Sequence, residues 1–182
     1  MFDNIPALIS SFIAMTFAVL SYFLKQKRLF LLSQGLAIIF LTVSSFFESN
    51  FYAVIAYVLS LTRVVLFYAL EQKDKKPPEW LKLLFVGAVL LSYLVLNVII
   101  LRDCKWTDIL LIFANILYIY AFAIRNMLFV RLFFLIPTAL SITYFVLIES
   151  TIFVIISYSF EFIASGVAAV LYSRKNKKTK II

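Results

Sequence analysis

Seven apolar runs follow one another along the 182-residue chain, each bounded by charges or a short polar turn. They cover residues 5–24, 29–47, 51–70, 83–101, 107–124, 129–148 and 151–172. Each comes close to the roughly 20 residues that a helix needs to cross about 30 Å of hydrocarbon. The punctuation is sharp: "KQKR" at 25–28, "ESN" at 48–50, "RDCKW" at 102–106, "RN" at 125–126 and "ES" at 149–150. One connection is long and polar, "EQKDKKPPEW" at 71–80. The pattern predicts an all-α polytopic membrane protein with seven transmembrane helices. The first run follows "MFDN", which has no basic stretch, and no small-residue cleavage site comes after it. It therefore reads as a first span and not as a removed signal peptide.

Charge orients the spans. Basic loops stay cytoplasmic. Seven spans place segments 25–28, 71–82 and 125–131 on one side together with the C-terminal tail, and these hold 14 of the 17 basic residues. The other side holds Arg102 and Lys105, beside Asp3, Glu48, Asp103, Asp108 and Glu149. The expected orientation is N-terminus out and C-terminus in. Trp80 and Trp106 fall at opposite membrane edges, where aromatic rings sit at headgroup level.

Composition agrees and narrows the chemistry. Hydrophobic residues make up 64% of the chain, with 20 Phe and 10 Tyr, and the mean hydropathy is +1.05. A soluble domain is nearer half apolar. The single cysteine, Cys104, excludes an intramolecular disulfide and a cysteine zinc site. Without histidine the usual general base, metal ligand and haem ligand are missing. No metal, cofactor or catalytic residue is expected, and an enzyme is not the expectation. The net charge of +8 points to anionic inner-leaflet lipid, contacted by the tail "SRKNKKTK", and not to nucleic acid.

The long connection divides the chain into a first triple-helix repeat (1–71), a basic loop with linker helix (72–104), a second triplet (105–173) and a basic tail (174–182). Shifted by 101 residues, Phe12 meets Phe113, Thr42 meets Thr143 and Tyr57 meets Tyr158. An odd linker helix makes both triplets run in the same direction, a 3+1+3 parallel repeat. The chain resembles the YgjV family of bacterial inner-membrane proteins. The likeness is carried by "KQKR" (25–28), "SLTR" (60–63), the "ES" turns and the exit "LYSRKNKK" (171–178). It implies a multi-pass protein of the bacterial inner membrane, and a fold more than an activity. The architecture is also similar to that of SWEET sugar transporters and PnuC vitamin transporters. Only Pro6 and Pro137 lie in or near the spans, short of the SWEET set of helix prolines. The Asn and Trp signature of a PnuC nicotinamide riboside site is also missing.

Two charges lie deep in predicted spans, Arg63 in the third and Glu161 in the seventh. Each costs about 2.5–3.5 kcal/mol at a helix centre on insertion scales, so an intramembrane charge calls for a reason. They occupy equivalent helices of the two repeats, and their depths differ by about 3 Å. The expectation is a central Arg63–Glu161 pair, either an inert link fixing helix register or part of a solute site. Tyr57 and Ser60 accompany Arg63; Ser157, Tyr158, Ala164, Ser165 and Ala168 accompany Glu161 at helical spacing. Phe160, Phe162, Ile163, Val167 and Val170 form the opposite, lipid-suited face of the seventh span. Gln34 and Asn115 add polar groups to the second and fifth spans, while Asn97 is expected to be peripheral.

Helix breakers supply the second clue. Pro137 in "FFLIPTALS" and Gly35 in "SQG" occupy nearly matching places in the two triplets. Interruptions at matching positions point to a transport site with hinges there. The candidate substrate-binding residues are Arg63, Glu161, Tyr57, Tyr158, Ser60, Gln34 and Asn115, with Gly35 and Pro137 as hinges. The leading expectation is a transporter or facilitator of a small polar solute, working by alternating access around a midplane site. The alternative is a membrane scaffold, sensor or accessory subunit whose Arg63–Glu161 pair is structural. An oligomer is compatible with either.

Overall fold

The computed structural model describes residues 5–47, 51–95, 105–148 and 152–179. Seven helices follow in order: α1 (Ile5–Phe23), α2 (Lys27–Phe47), α3 (Phe51–Gln72), α4 (Glu79–Tyr93), α5 (Asp108–Ala123), α6 (Met127–Leu147) and α7 (Ile152–Thr179). Among the described residues there is no strand. Five helices (α1, α2, α3, α6 and α7) are long and apolar enough to cross a membrane, and α5 is apolar but shorter. The predicted turns at 48–50 and 149–150 lie outside the described residues, as do Asp3, Asn97, Arg102, Asp103 and Cys104. α7 continues past the predicted span end at 172 and carries the basic segment in helical form to Thr179.

The chain forms two compact units, Met1–Leu81 and Lys82–Ile182. In the first, α2 is the middle helix and packs against both α1 and α3. In the second, α6 packs against both α5 and α7. α4 runs antiparallel to α5, joined at both ends by side chains. At one end Lys82 Nζ lies 5.6 Å from the centre of the Tyr120 ring. At the other, the Tyr93 hydroxyl donates to Asp108 Oδ2 at 3.1 Å.

Small residues meet and large ones face out, the reverse of a soluble core. α1 buries Ala7, Ser10, Ala14, Ala18 and Ser21, spaced by three or four so that they share one face. It leaves Ile5, Ile9, Phe12 and Leu20 exposed. Hiding leucine from lipid gains nothing, since acyl chains are as apolar as leucine. Close backbone approach and interhelical hydrogen bonds gain more. The bonds are present along this seam: Ser33 Oγ donates to Phe17 O at 2.7 Å and Ser44 Oγ to Ala7 O at 3.0 Å. α7 repeats the logic against α6, burying Ala164, Ser165, Ala168 and Ala169 while Phe160, Ile163, Val167 and Val170 are exposed.

The end of α3 is a Schellman motif. Lys75 N–H donates to Leu70 O at 3.0 Å and Asp74 N–H to Glu71 O at 3.2 Å. The pattern places Asp74 at the position after the cap, where the backbone turns left-handed and glycine is usual. Asp74 adopts that conformation with φ 51°. Arg28, in the first turn of α2, reaches this motif, its Nη2 3.5 Å from both Asp74 Oδ1 and Gln72 O.

Candidate functional site

In the first unit the described polar interior is neutral apart from two cations, Lys27 at the start of α2 and Arg63 on α3. Gln34 is buried on α2, and its Nε2 donates to Ser21 Oγ at 2.8 Å. Ser21 Oγ in turn donates to Ala18 O at 2.6 Å, so the chain of donors ends on a backbone carbonyl of α1. Gly35 is buried against α3, where a Cβ would meet Val64 Cγ1 at 3.6 Å. That is ordinary contact distance, so this packing does not require glycine, and α2 runs unbroken through it. Arg63 is only 5% exposed, inside a helix otherwise fit for lipid. Val64 and Phe67 are buried near it, and Ser60 and Tyr57 are half-buried about one and two turns before it.

In the second unit polar groups line one face of α6. Arg131, Phe134, Thr138 and Ser141 follow at intervals of three and four residues, and all are almost fully buried. Arg131 stacks on the next helix: its guanidinium carbon is 4.6 Å from the centre of the Tyr172 ring. The carbonyl of Arg131 accepts from Ser165 Oγ at 2.7 Å, so backbone and side chain of this residue both engage α7. Pro137 is buried within the helix. Thr138 Oγ1 donates to Phe134 O at 2.7 Å, leaving its lone pairs to the Tyr118 hydroxyl of α5 at 3.2 Å. The rings of Tyr118 and Phe122 close on Phe134 at 5.3 and 5.1 Å.

The far end of the same face reaches a carboxylate. Asp108 opens α5 and is only 5% exposed. It accepts from three elements: the Tyr93 hydroxyl of α4 at 3.1 Å, the Lys105 backbone N–H at 3.1 Å, and the Tyr144 hydroxyl of α6 at 3.4 Å. From Arg131 to Tyr144 the helix rises about 20 Å at 1.5 Å per residue, which is most of the thickness of a bilayer core. A polar face of this length inside one unit is costly in hydrocarbon unless its groups bond to one another or to something that enters.

The sequence model of a family of bacterial inner membrane proteins, Imp-YgjV, matches residues 6–178. The chain belongs to this family. With five helices able to span a bilayer, it is a multi-pass protein of the bacterial inner membrane. No curated protein and no solved structure matches it.

The predicted site residues of this YgjV-family chain fall in both units. Gln34, Gly35, Tyr57, Ser60 and Arg63 belong to the first; Asn115, Pro137, Tyr158 and Glu161 belong to the second. Within the first, Gly35 and its neighbour Val64 bring α2 to the stretch of α3 that carries Arg63. Within the second, Asn115 Nδ2 donates to Leu111 O of its own helix at 2.9 Å, and the Tyr158 ring stacks on Phe145 at 5.1 Å. Glu161 is half-buried on α7. On α3, Ala56 and Thr62 are exposed.

Two residues escaped the sequence reading. Arg131 was assigned to the basic loop 125–131, yet it lies in the second turn of α6 and is 2% exposed. Its spacing from Phe134, Thr138 and Ser141 was the available signal, but an arginine this close to a predicted boundary, six residues after Arg125, read as part of the loop. Arg63 is therefore not the one arginine inside a span. Asp108 was read as a loop-edge charge, and its tyrosine partners are 15 and 36 residues away in sequence, beyond any local pattern.

Proposed function

We propose that this chain is a transporter or facilitator of a small polar solute, working by alternating access around a midplane site. The observation that carries the reading is the burial of two arginines, Arg63 and Arg131, within helices long and apolar enough to cross a membrane. Ionisable residues there are expensive, and function is the default reason for keeping them. In this reading Arg63 orients a polar or anionic group of the solute, Glu161 takes up and releases a proton, and Gln34, Tyr57, Ser60, Tyr158 and Asn115 complete the lining. Gly35 and Pro137 supply the bends. The role is not enzymatic. The basic connections and tail lie on the cytoplasmic side and rest on anionic inner-leaflet lipid.

A thermal-shift screen of the purified protein against sugars, nucleosides, vitamins and amino acids tests this. A stabilising ligand whose effect disappears in Arg63→Ala, and which proteoliposomes accumulate, is the expected result. A Glu161→Gln variant that transports with unchanged pH dependence removes the proton role. No stabilising ligand and no uptake in any class sinks the reading.

The alternative, a non-transporting scaffold or accessory subunit, draws on a specific observation. Gln34 of α2 bonds across to Ser21 of α1 and Ser165 of α7 to the Arg131 carbonyl of α6, the usual behaviour of polar side chains that hold membrane helices together, while Asn115 and Thr138 are satisfied within their own helices.

A further inference from the structure

We infer that Ser141, Asn115 and Glu161 form one layer across α5, α6 and α7 that receives the hydrogen-bond-donating end of the solute, a hydroxyl or an amino group. The inference rests on the transport reading, adds Ser141 to its site and names the class of group bound there.

Contacts on both sides of α6 fix the level of Ser141. Toward α5, Thr138 bonds to Tyr118 and Tyr144 to Asp108, so Ser141 between them lies level with the turn from Leu111 to Asn115. Asn115 shares the face of α5 that carries Asp108, Tyr118 and Phe122, seven residues before it and three and seven after. Its amide reaches back one turn, Nδ2 donating to Leu111 O at 2.9 Å, which holds it at that level. Toward α7, Leu135 lies against Gly166 and Phe145 stacks on Tyr158, and the level of Ser141 between these pairs falls at Glu161. Glu161 is about one turn from both Ser165 and Tyr158, the residues of α7 that bond to α6 or stack on it.

A second observation is the state of Ser141 itself. It is 1% exposed, and its hydroxyl makes no hydrogen bond among the described residues. A helical serine can donate to the carbonyl four residues back, here that of Pro137, and this one does not. Buried hydroxyls are rarely left so, and each such case asks for a partner. Ser141 also follows Pro137 by one turn, on the arm of α6 that a bend there displaces.

The chemistry of the layer selects the group. With Nδ2 held by Leu111, the Asn115 amide keeps its oxygen to accept with. A carboxylate offers about four lone-pair sites, so Glu161 can accept from a solute beside its other contacts. Ser141 both gives and accepts. Acceptors outnumber donors, which suits O–H or N–H groups, and the carboxylate repels an anion.

Ser141→Cys in a full-length Cys104→Ser background carries the sole cysteine. The protein in detergent is treated with 2-hydroxyethyl, 2-aminoethyl or 2-sulfonatoethyl methanethiosulfonate, each converting the thiol to a mixed disulfide and releasing methanesulfinate. Rates are read by intact mass and divided by those of a free thiol. The hydroxyethyl or the aminoethyl reagent is expected to outpace the sulfonatoethyl one about tenfold or more. Hydroxyethyl fastest marks a hydroxyl, and aminoethyl fastest marks an amino group. Glu161→Gln in the same background is expected to bring the anionic reagent within about threefold of the others. Ala168→Cys, two turns from Glu161 and 3% exposed, is expected not to react. No reaction of Ser141→Cys overturns the inference, as do equal rates for the two cysteine variants or an anionic reagent that keeps pace. Should Ser141→Cys not fold, Asn115→Cys reads the same layer by the same outcomes. A reactive, donor-selective layer in a protein with no stabilising ligand and no uptake sinks the transport reading alone. An unreactive layer in a protein that takes up solute sinks this inference alone.

Discussion

The two units build the same local plan, a middle helix flanked on both sides, with interiors of different electrical character. Around α2, the bonds are neutral and end quickly on backbone carbonyls, as from Gln34 through Ser21 to Ala18. Around α6, the buried face begins at a guanidinium stacked on Tyr172 and ends at a carboxylate held by two tyrosines. Neutral bonds of the first kind are helix glue, worth about 0.6 kcal/mol each in lipid. Charges of the second kind cost more than they return unless something interacts with them. The contrast is between the α1–α2 seam, where the bonds are neutral, and the α6 face, which ends in charges at both ends; the first unit also buries two cations, Lys27 and Arg63.

The sharpest way to break that comparison is Arg131. An Arg131→Ala variant removes a buried side chain and its aromatic partner contact together, and we expect a loss of about 2–4 kcal/mol. Thermal unfolding in detergent measures it. Arg131→Lys is expected to recover only part, because an ammonium lacks the planar surface that lies on Tyr172. Arg131→Leu separates the two roles of the residue. If the leucine variant matches or exceeds the parent, the guanidinium is not needed for folding, and its retention points to function.

How far the sequence could be read follows the same division. The seven helices and their all-α membrane class were legible because hydrocarbon thickness fixes the length of the apolar runs and charged turns punctuate them; five of the seven are long and apolar enough to span. Arg63 and Glu161 were visible as charges because they interrupt apolar runs at mid-length. Arg131 sits only three residues into the sixth predicted run, counting from 129, so it was absorbed into the loop. Its burial arises from Tyr172 and Ser165 of another helix. Asp108 was hidden for a related reason. Loop-edge acids are ordinarily solvated, and only tertiary packing shows that Tyr93 and Tyr144 close over this one. Gly35 went the other way: its place opposite Pro137 in the repeat suggested a helix break, yet α2 is continuous there and Val64 leaves ordinary room for a methyl group.

Gln34 tests the other side of the contrast. Gln34→Leu removes the donor to Ser21, whose hydroxyl keeps its own bond to Ala18. The expected cost is about 1 kcal/mol or less, since neither partner is left with an unmet donor. A loss as large as that for Arg131→Ala would show that neutral bonds carry the first unit and would erase the distinction. Ser165→Ala is expected to cost about 0.6 kcal/mol, because the Arg131 carbonyl lies in the interior of α6, where helical bonding continues. Both are read by the same unfolding measurement.

The smallest effect belongs to Asp74, outside either polar interior. Its φ of 51° places a non-glycine residue in the left-handed region, which aspartate tolerates better than most but not freely. Asp74→Gly removes that strain and keeps both backbone bonds of the motif, to Glu71 and from Lys75 to Leu70. It also removes the carboxylate that Arg28 approaches at 3.5 Å, where the two side chains are 47% and 77% exposed. An exposed pair of this kind contributes about 0–1 kcal/mol, and salt screens it. Relief of the backbone strain is worth about as much, with opposite sign, so the net change is expected to stay within about 0.5 kcal/mol. The salt dependence separates the terms: at high ionic strength the pair is screened in the parent, the backbone gain remains, and the glycine variant becomes the more stable. A variant that loses stability equally at low and high salt shows instead that the aspartate side chain holds the α3 terminus by contacts other than its charge.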